Sequence, residues 1–331
     1  MPFVKPPIFI LGAHRSGSTL WHNLLSMIPG VVRLTDPRFL GDGRHRDFKY
    51  FLATRGGDLS QDECVDRMVE LCFGKKSIPG LDSTFWRFEN VTAAGDPELQ
   101  RAIATRIKKS DRSLGAIARI FLEEITRFSG GERPCVKFPV DVSHMPELLR
   151  WFRDGRIVHI TRDPRAMAMS KTNDPFGTAP KVLAHPHLAW LIRKLVPLSV
   201  IVQYRRDSRL HQRFRELPNY KLFRYEDLLA DPKPTLQELC AFVGAEFTES
   251  MADPGHGRHE HQPSSLTGKQ QKAFDPRAAV RWQTRISRAD KWLITSLTKT
   301  SMRRFGYDPA NHPIFRKVEQ ILPAAGQEVL S

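Results

Sequence analysis

Pro7-Ile8-Phe9-Ile10-Leu11-Gly12-Ala13-His14-Arg15-Ser16-Gly17-Ser18-Thr19-Leu20 is the stretch that decides the fold. Ile8 to Leu11 is an unbroken apolar run behind two prolines, the pattern of a strand buried on both faces of a parallel sheet. Gly12 ends it. Ser16-Gly17-Ser18-Thr19 then opens a predicted helix from Leu20 to Met27, with Leu20, Leu24, Leu25 and Ile28 on one side. A tight loop entering a helix N-terminus points free backbone N–H groups and the positive end of the helix dipole at one spot, which suits a phosphate.

From Gly12 to Thr19 the spacing follows GxxxxGK[ST], except that Ser18 stands where the lysine belongs. In nucleotide triphosphatases that lysine reaches the β- and γ-phosphates and the next hydroxyl holds magnesium. Arg15, just before Ser16-Gly17, offers a cation from a different position. The loop is therefore built for an anionic nucleotide end, but not the usual one. The plainer alternative is an ordinary strand-to-helix turn of small residues, since a glycine-rich turn alone is weak evidence.

The chain has 331 residues, 40% hydrophobic and 26% charged, enough for a substantial core in one large α/β domain or two small ones. No run approaches the roughly 18 apolar residues of a membrane span. The longest candidate, Leu195 to Val202, is short and contains Pro197. The chain enters its first strand almost at once, so no cleavable signal is expected. Cys64, Cys72, Cys135 and Cys240 show no CxxC spacing, which indicates neither a zinc site nor a disulfide framework. A reduced, cytoplasmic protein is the expectation. The 51 Lys and Arg against 36 Asp and Glu give a formal charge of +15, which favours anionic partners. These cations are scattered, with no basic tail, so nucleic acid is not the expected main partner.

Further along, Ser60-Gln61-Asp62-Glu63 reads as a capping box for a helix to Phe73. Pro97 opens a helical run broken near Ser110-Asp111, and Ser113 to Phe128 continues as a helix ending at Gly130-Gly131. Predicted strands cover Pro134–Phe138, Arg156–Thr161 and Tyr220–Phe223. Predicted helices cover His144–Phe152, Arg165–Lys171, His187–Glu216 (long and basic), a short one from Tyr225, Pro234–Val243 and Ser287–Phe305. Strands alternating with helices argue for a parallel sheet with helices on both faces. The expected fold is thus α/β, a P-loop-like parallel sheet flanked by helices. A long loop from Thr248 to Ala279, rich in Gly, His, Pro and Ser, is of the kind that forms lids in compact enzymes. Its His256, His259 and His261 read as a polar loop and not as a metal tract, because no carboxylate or Cys spacing supports one.

In open parallel sheets ligands lie at the carboxyl ends of the strands. The loop at Arg15–Thr19 and the turn at Arg162–Ser170 both leave such ends, and each carries an Arg and hydroxyls. Two anionic groups are therefore expected in one site. This pair resembles the sulfotransferases, which use 3′-phosphoadenosine 5′-phosphosulfate (PAPS). Arg15-Ser16-Gly17-Ser18-Thr19 looks like their loop for the 5′-phosphosulfate. Arg162-Asp163-Pro164-Arg165-Ala166-Met167-Ala168-Met169-Ser170 looks like their 3′-phosphate motif, with Arg162 and Ser170 at the contacting positions. Phe223-Arg224-Tyr225-Glu226-Asp227-Leu228-Leu229 and the run from Arg281-Trp282 to Gly306-Tyr307 also sit where bacterial-type and protein-tyrosine sulfotransferases carry similar sequence.

The resemblance implies one sulfotransferase domain over residues 1–310, with 311–331 an unplaced tail. It implies a sulfuryl transfer that needs no magnesium-binding loop, which accounts for the missing lysine. It makes Arg15 a first cation and Lys137, in Lys137-Phe138-Pro139, a second one near the leaving group. Pro139 stands where the cytosolic small-molecule branch has its His, so that branch is excluded. In the register of the protein-tyrosine branch, the base falls at Asp36 with Arg38 two positions on and Pro29 matched. Asp141, His144 and Glu89 are rivals, and an Asp-Pro turn is the bland reading of Asp36. Lys272, ten residues before Trp282, falls at a cofactor-contacting position, which would make Pro263 to Arg277 a lid over bound nucleotide. The acceptor would be an acidic glycan, lipid headgroup or peptide. Phe85, Trp86, Phe88 and Trp190 could stack on it, though core positions are the plainer reading. A P-loop kinase or hydrolase with a degenerate loop, or a non-catalytic polyanion binder, are the competing readings. The first would need magnesium and a replacement lysine, the second a steep salt dependence.

Overall fold

The structure, a computed structural model, describes residues 3–35, 57–73, 96–138, 142–172, 184–252 and 274–310. Five strands form one parallel sheet in the order β2-β3-β1-β4-β5: β1 Ile8–Gly12, β2 Val31–Thr35, β3 Arg133–Lys137, β4 Arg156–Thr161 and β5 Tyr220–Arg224. The α/β expectation holds. Ile8, Phe9, Ile10 and Leu11 are all fully buried, as a strand inside a two-faced sheet must be. β2 is a strand that the sequence reading passed over. Its five residues are few, and only pairing with β3, from Val31 opposite Arg133 to Thr35 opposite Lys137, reveals it.

The helices are α1 Ser18–Leu25, α2 Asp62–Phe73, α3 Pro97–Lys108, α4 Leu114–Phe128, α5 Met145–Trp151, α6 Pro164–Thr172, α7 Ala189–Phe214, α8 Tyr225–Ala230, α9 Pro232–Val243, α10 Arg277–Val280 and α11 Arg288–Arg304. Among the described residues, none is long and apolar enough to cross a membrane. Side-chain caps start several of them: Asp96 accepts from Glu98 N–H, Ser113 from Ala116 N–H, Asp163 from Arg165 N–H and Ser287 from Asp290 N–H. The capping box read at Ser60 is not what starts α2. Ser60 instead donates its hydroxyl and its backbone N–H to Asp58, whose carboxylate organises the turn ahead of the helix. Gly244, at φ 66, ends α9 in the left-handed conformation that glycine adopts without strain.

The chain divides into two compact units. The first comprises Met1–Leu11 and Thr19–Val158. Its core includes Phe9 against Phe152, ring centroids 4.9 Å apart, with Trp21, Phe121 and Ile125 fully buried. Arg106 of α3 ties to α4 through Glu123 and Glu124 at 2.5 and 2.8 Å. The second comprises Gly12–Ser18 and His159–Ser331. Its core gathers Met167, Val200, Ile201, Tyr204, Ile294, Met302, Phe305 and Tyr307 from α6, α7, α11 and the segment after it. Within it Tyr220 Oη lies 2.6 Å from His159 Nδ1 and 2.8 Å from His211 Nδ1. Burial holds His159 neutral, its pKa lowered to about 3.

Candidate active site

The loop after β1 is shaped by two close approaches. A Cβ on Gly12 would stand 2.6 Å from the Ile160 carbonyl oxygen of β4, so only glycine fits there. A Cβ on Gly17, at φ 92, would run into the Tyr225 ring. Arg15 also takes a left-handed backbone, at φ 73, which costs a non-glycine residue free energy and is kept where the surroundings require it. Left-handed residues alternating with ordinary ones bend backbone N–H groups toward a common concavity that accepts anions. Ser16 is fully buried, and its Oγ has no hydrogen-bond partner among the described residues.

The turn after β4 comes to the same place. Arg162 is 7% exposed. Its Nη2 donates to the Ala278 carbonyl at 2.9 Å and its Nη1 to the Arg15 carbonyl at 3.5 Å. Its guanidinium carbon lies 4.4 Å from the centroid of the Tyr225 ring, a cation–π stack. Its Nε, buried, has no partner among the described residues. Ser170, eight residues on and buried in α6, accepts from Arg15 Nε at 2.9 Å. Arg15 of one predicted loop and Arg162 and Ser170 of the other are thus brought together in one cluster of the second unit.

Positive charge prevails there. Asp163 is buried but held by Arg165 in a two-pronged pair, at 2.9 and 2.6 Å. Its backbone N–H donates to Glu226 Oε1 at 2.9 Å, and Tyr307 Oη donates to Glu226 Oε2 at 2.6 Å. Glu226 is fully buried, and desolvation outweighs the opposing pull of Arg162 and raises its pKa to about 7. One acid is thus paired with Arg165 and the other is pushed toward its neutral form by burial, so neither offsets Arg15 and Arg162 in full. Tyr225, Glu226 and Tyr307 take positions here that the sequence alone does not assign. The signal was present in Tyr225-Glu226-Asp227-Leu228-Leu229, a carboxylate inside an otherwise buried helix start.

In the first unit, Lys137 ends β3, is 9% exposed and donates to Thr19 Oγ1 at 3.3 Å. Thr35 lies opposite Lys137 in the register of β2 and β3, so Asp36 follows directly in sequence from the strand end beside that lysine. Asp36 itself lies outside the described residues, as do Arg38, Glu89, Asp141, Lys272, the aromatics Phe85, Trp86 and Phe88, and the three histidines of the long loop. Of the rival bases only His144 is described. It sits in the turn before α5, and its buried Nε2 finds no hydrogen-bond partner among the described residues. Among those residues no group of three or more His, Cys, Asp and Glu is placed to hold a metal ion.

The profile of the sulfotransferase family matches residues 6–249, most of the chain. The protein belongs to the sulfotransferase family. Among solved structures, this sulfotransferase is similar in fold to the sulfotransferase domain from the Synechococcus PCC 7002 olefin synthase, at 20% identity and a TM-score of 0.52 over 93% of this chain and 97% of that one. It is likewise similar to the sulfotransferase domain from the curacin biosynthetic pathway, at 17% identity and a TM-score of 0.53 over 92% and 98%. A sequence comparison with curated proteins finds no match.

The raised pKa of Glu226 gives this sulfotransferase a defined pH signature. Its carboxyl ionises near 4.5 in the unfolded chain and near 7 in the fold. Folding therefore favours the protonated form, so the contribution is full below pH 4.5 and is lost as pH rises toward 7. Glu226→Gln, which cannot ionise, removes that dependence. The melting temperature of the variant minus that of the wild type is expected to climb between pH 4.5 and 7 and to level off above. A flat difference curve across that window would show that the carboxylate is solvated.

Proposed function

We propose that this enzyme moves the sulfuryl group of PAPS to a hydroxyl or amine of an acceptor by in-line displacement. The observation that carries the reading is the cluster in which Arg15 Nε meets Ser170 Oγ and Arg162 meets the Arg15 carbonyl. A nucleotide with anionic groups on both its ribose 3′ and 5′ sides is the ligand that two such cations serve. The donor set fits it, since the buried Ser16 Oγ and Arg162 Nε are polar atoms with no partner among the described residues.

Arg15, Ser16, Gly17, Ser18 and Thr19 hold the 5′-phosphosulfate, through loop N–H groups, hydroxyls and the guanidinium. Arg162 and Ser170 hold the 3′-phosphate. The acceptor oxygen forms a bond to sulfur as the bridging sulfur–oxygen bond to the 5′-phosphate breaks, and adenosine 3′,5′-bisphosphate leaves. Arg15 and Lys137 neutralise the charge that develops on the sulfuryl oxygens and the leaving phosphate. Asp36 takes the acceptor proton, and the segment carrying Lys272 covers the nucleotide. The reaction as written uses no metal. Residues 1–310 form one catalytic domain with 311–331 as its tail, a reading for which the support is that the family match, residues 6–249, takes in segments of both compact units. The acceptor is an acidic glycan, lipid headgroup or peptide, for which the +15 charge is the support. The four cysteines, none of them in a disulfide, support a reducing, cytoplasmic setting.

Thermal shift tests the donor class. At a ligand concentration about 100-fold above Kd, adenosine 3′,5′-bisphosphate adds about 2.7 kcal/mol, which corresponds to a rise of roughly 5 °C for a chain of this size. ATP with magnesium should raise the melting temperature less. A larger shift with ATP and magnesium would overturn the donor assignment in favour of a phosphoryl-transfer enzyme.

A further inference from the structure

α7 is apolar on two sides, and only one of them has a partner within the described structure. The inner side, Val196, Pro197, Val200, Ile201 and Tyr204, is buried in the core of the second unit. On the outer side Leu188, Leu191, Leu195, Leu198 and Val202 recur at three- and four-residue steps, which places them in one stripe along the helix. They are 40%, 39%, 51%, 44% and 69% exposed, and Trp190 near the start of the helix is 68% exposed. A soluble helix with a solvent-facing outer side has no reason to place leucines there, so this stripe marks a docking surface.

Charge selects the occupant. Every exposed charged side chain on α7 is positive: Arg193, Lys194, Arg205, Arg206, Arg209 and Arg213. The sole acid of the helix, Asp207, is buried. A second copy of the chain would set one such all-positive rim against another, with no exposed acid on the helix to pair with. An anionic bilayer meets both features, since it takes an apolar stripe into its interfacial layer while its headgroups pair with the neighbouring cations. We propose that the outer face of α7 docks this enzyme on an anionic lipid surface, the helix lying in the plane of the interface.

Co-sedimentation of the full chain with vesicles tests this, using phosphatidylcholine alone and equal parts phosphatidylcholine and phosphatidylglycerol. Binding to the mixed vesicles, weakened by salt, is expected, with little binding to phosphatidylcholine alone. Leu195→Glu with Val202→Glu, and separately Arg205→Glu with Arg209→Glu, should each lower the partition coefficient at least about tenfold. Both pairs are exposed and outside the nucleotide cluster, so the bisphosphate thermal shift should persist and report correct folding. Equal vesicle binding by wild type and both variants would assign the effect to net charge and overturn the proposal. So would absence of binding to the mixed vesicles. A dimer in sedimentation velocity that the stripe variant dissolves, without vesicle binding, would make the stripe an interface between copies and overturn it as well.

Discussion

Arg162→Ala is expected to abolish the thermal stabilisation that adenosine 3′,5′-bisphosphate confers. The side chain is almost wholly buried, stacked on Tyr225 and fixed by the carbonyls of Ala278 and Arg15, so the protein itself positions its fork. A buried, charge-assisted pair lost on one side typically costs 2–5 kcal/mol, which is a loss of about 30- to 5,000-fold in affinity. The unliganded variant should itself melt lower, because two backbone carbonyls lose their donor and Glu226 loses a cation that favours its ionised form. The informative quantity is therefore the ligand-induced shift, supported by the dissociation constant from calorimetry. Arg162→Lys should restore only part of it, since an ammonium cannot reproduce the planar two-pronged contact. Bisphosphate affinity within about threefold of wild type in the alanine variant would remove Arg162 from the nucleotide site.

Arg15→Ala should depress turnover more than binding. A cation aimed at charge that appears only in the transition state is worth about 10²–10³ in kcat. Donor hydrolysis in acceptor-free buffer, followed as bisphosphate release, measures this without an identified acceptor. Arg15 occupies a left-handed backbone conformation, so a second variant separates charge from strain. Arg15→Gly loses the same guanidinium but fits φ 73 freely. Both variants are expected to lose turnover alike. Near-normal turnover in the glycine variant alone would mean that backbone geometry, not the guanidinium, drives the loss.

Much of this molecule was legible before any coordinates. The limits of β4 from Arg156 to Thr161 coincide with the apolar run that announced it, and the Ser113 and Ser287 caps stand where their helices begin. Such features are local, since a few adjacent side chains and backbone dihedrals decide them. The strand β2 and the Asp58 turn ahead of α2 were missed for the same reason in reverse. Each depends on a partner, β3 in one case and a competing acceptor in the other, that spacing alone does not rank.

The nucleotide residues divide along that line. The chain order alone put forward Gly12 to Thr19, Arg162 and Ser170 as candidate anion-binding positions, because strand, tight turn and helix N-terminus are written consecutively. Only the tertiary structure decided that Arg15 reaches Ser170 across 155 positions, that Tyr225 closes beneath Gly17, and that Glu226 is gripped by Tyr307 from 81 positions away. It likewise decided that the leucines of α7 face outward, where a long basic helix had been expected. Propensity and turn chemistry act over a few residues. Desolvation and hydrogen-bond partnership exist only once distant segments share the same few ångströms.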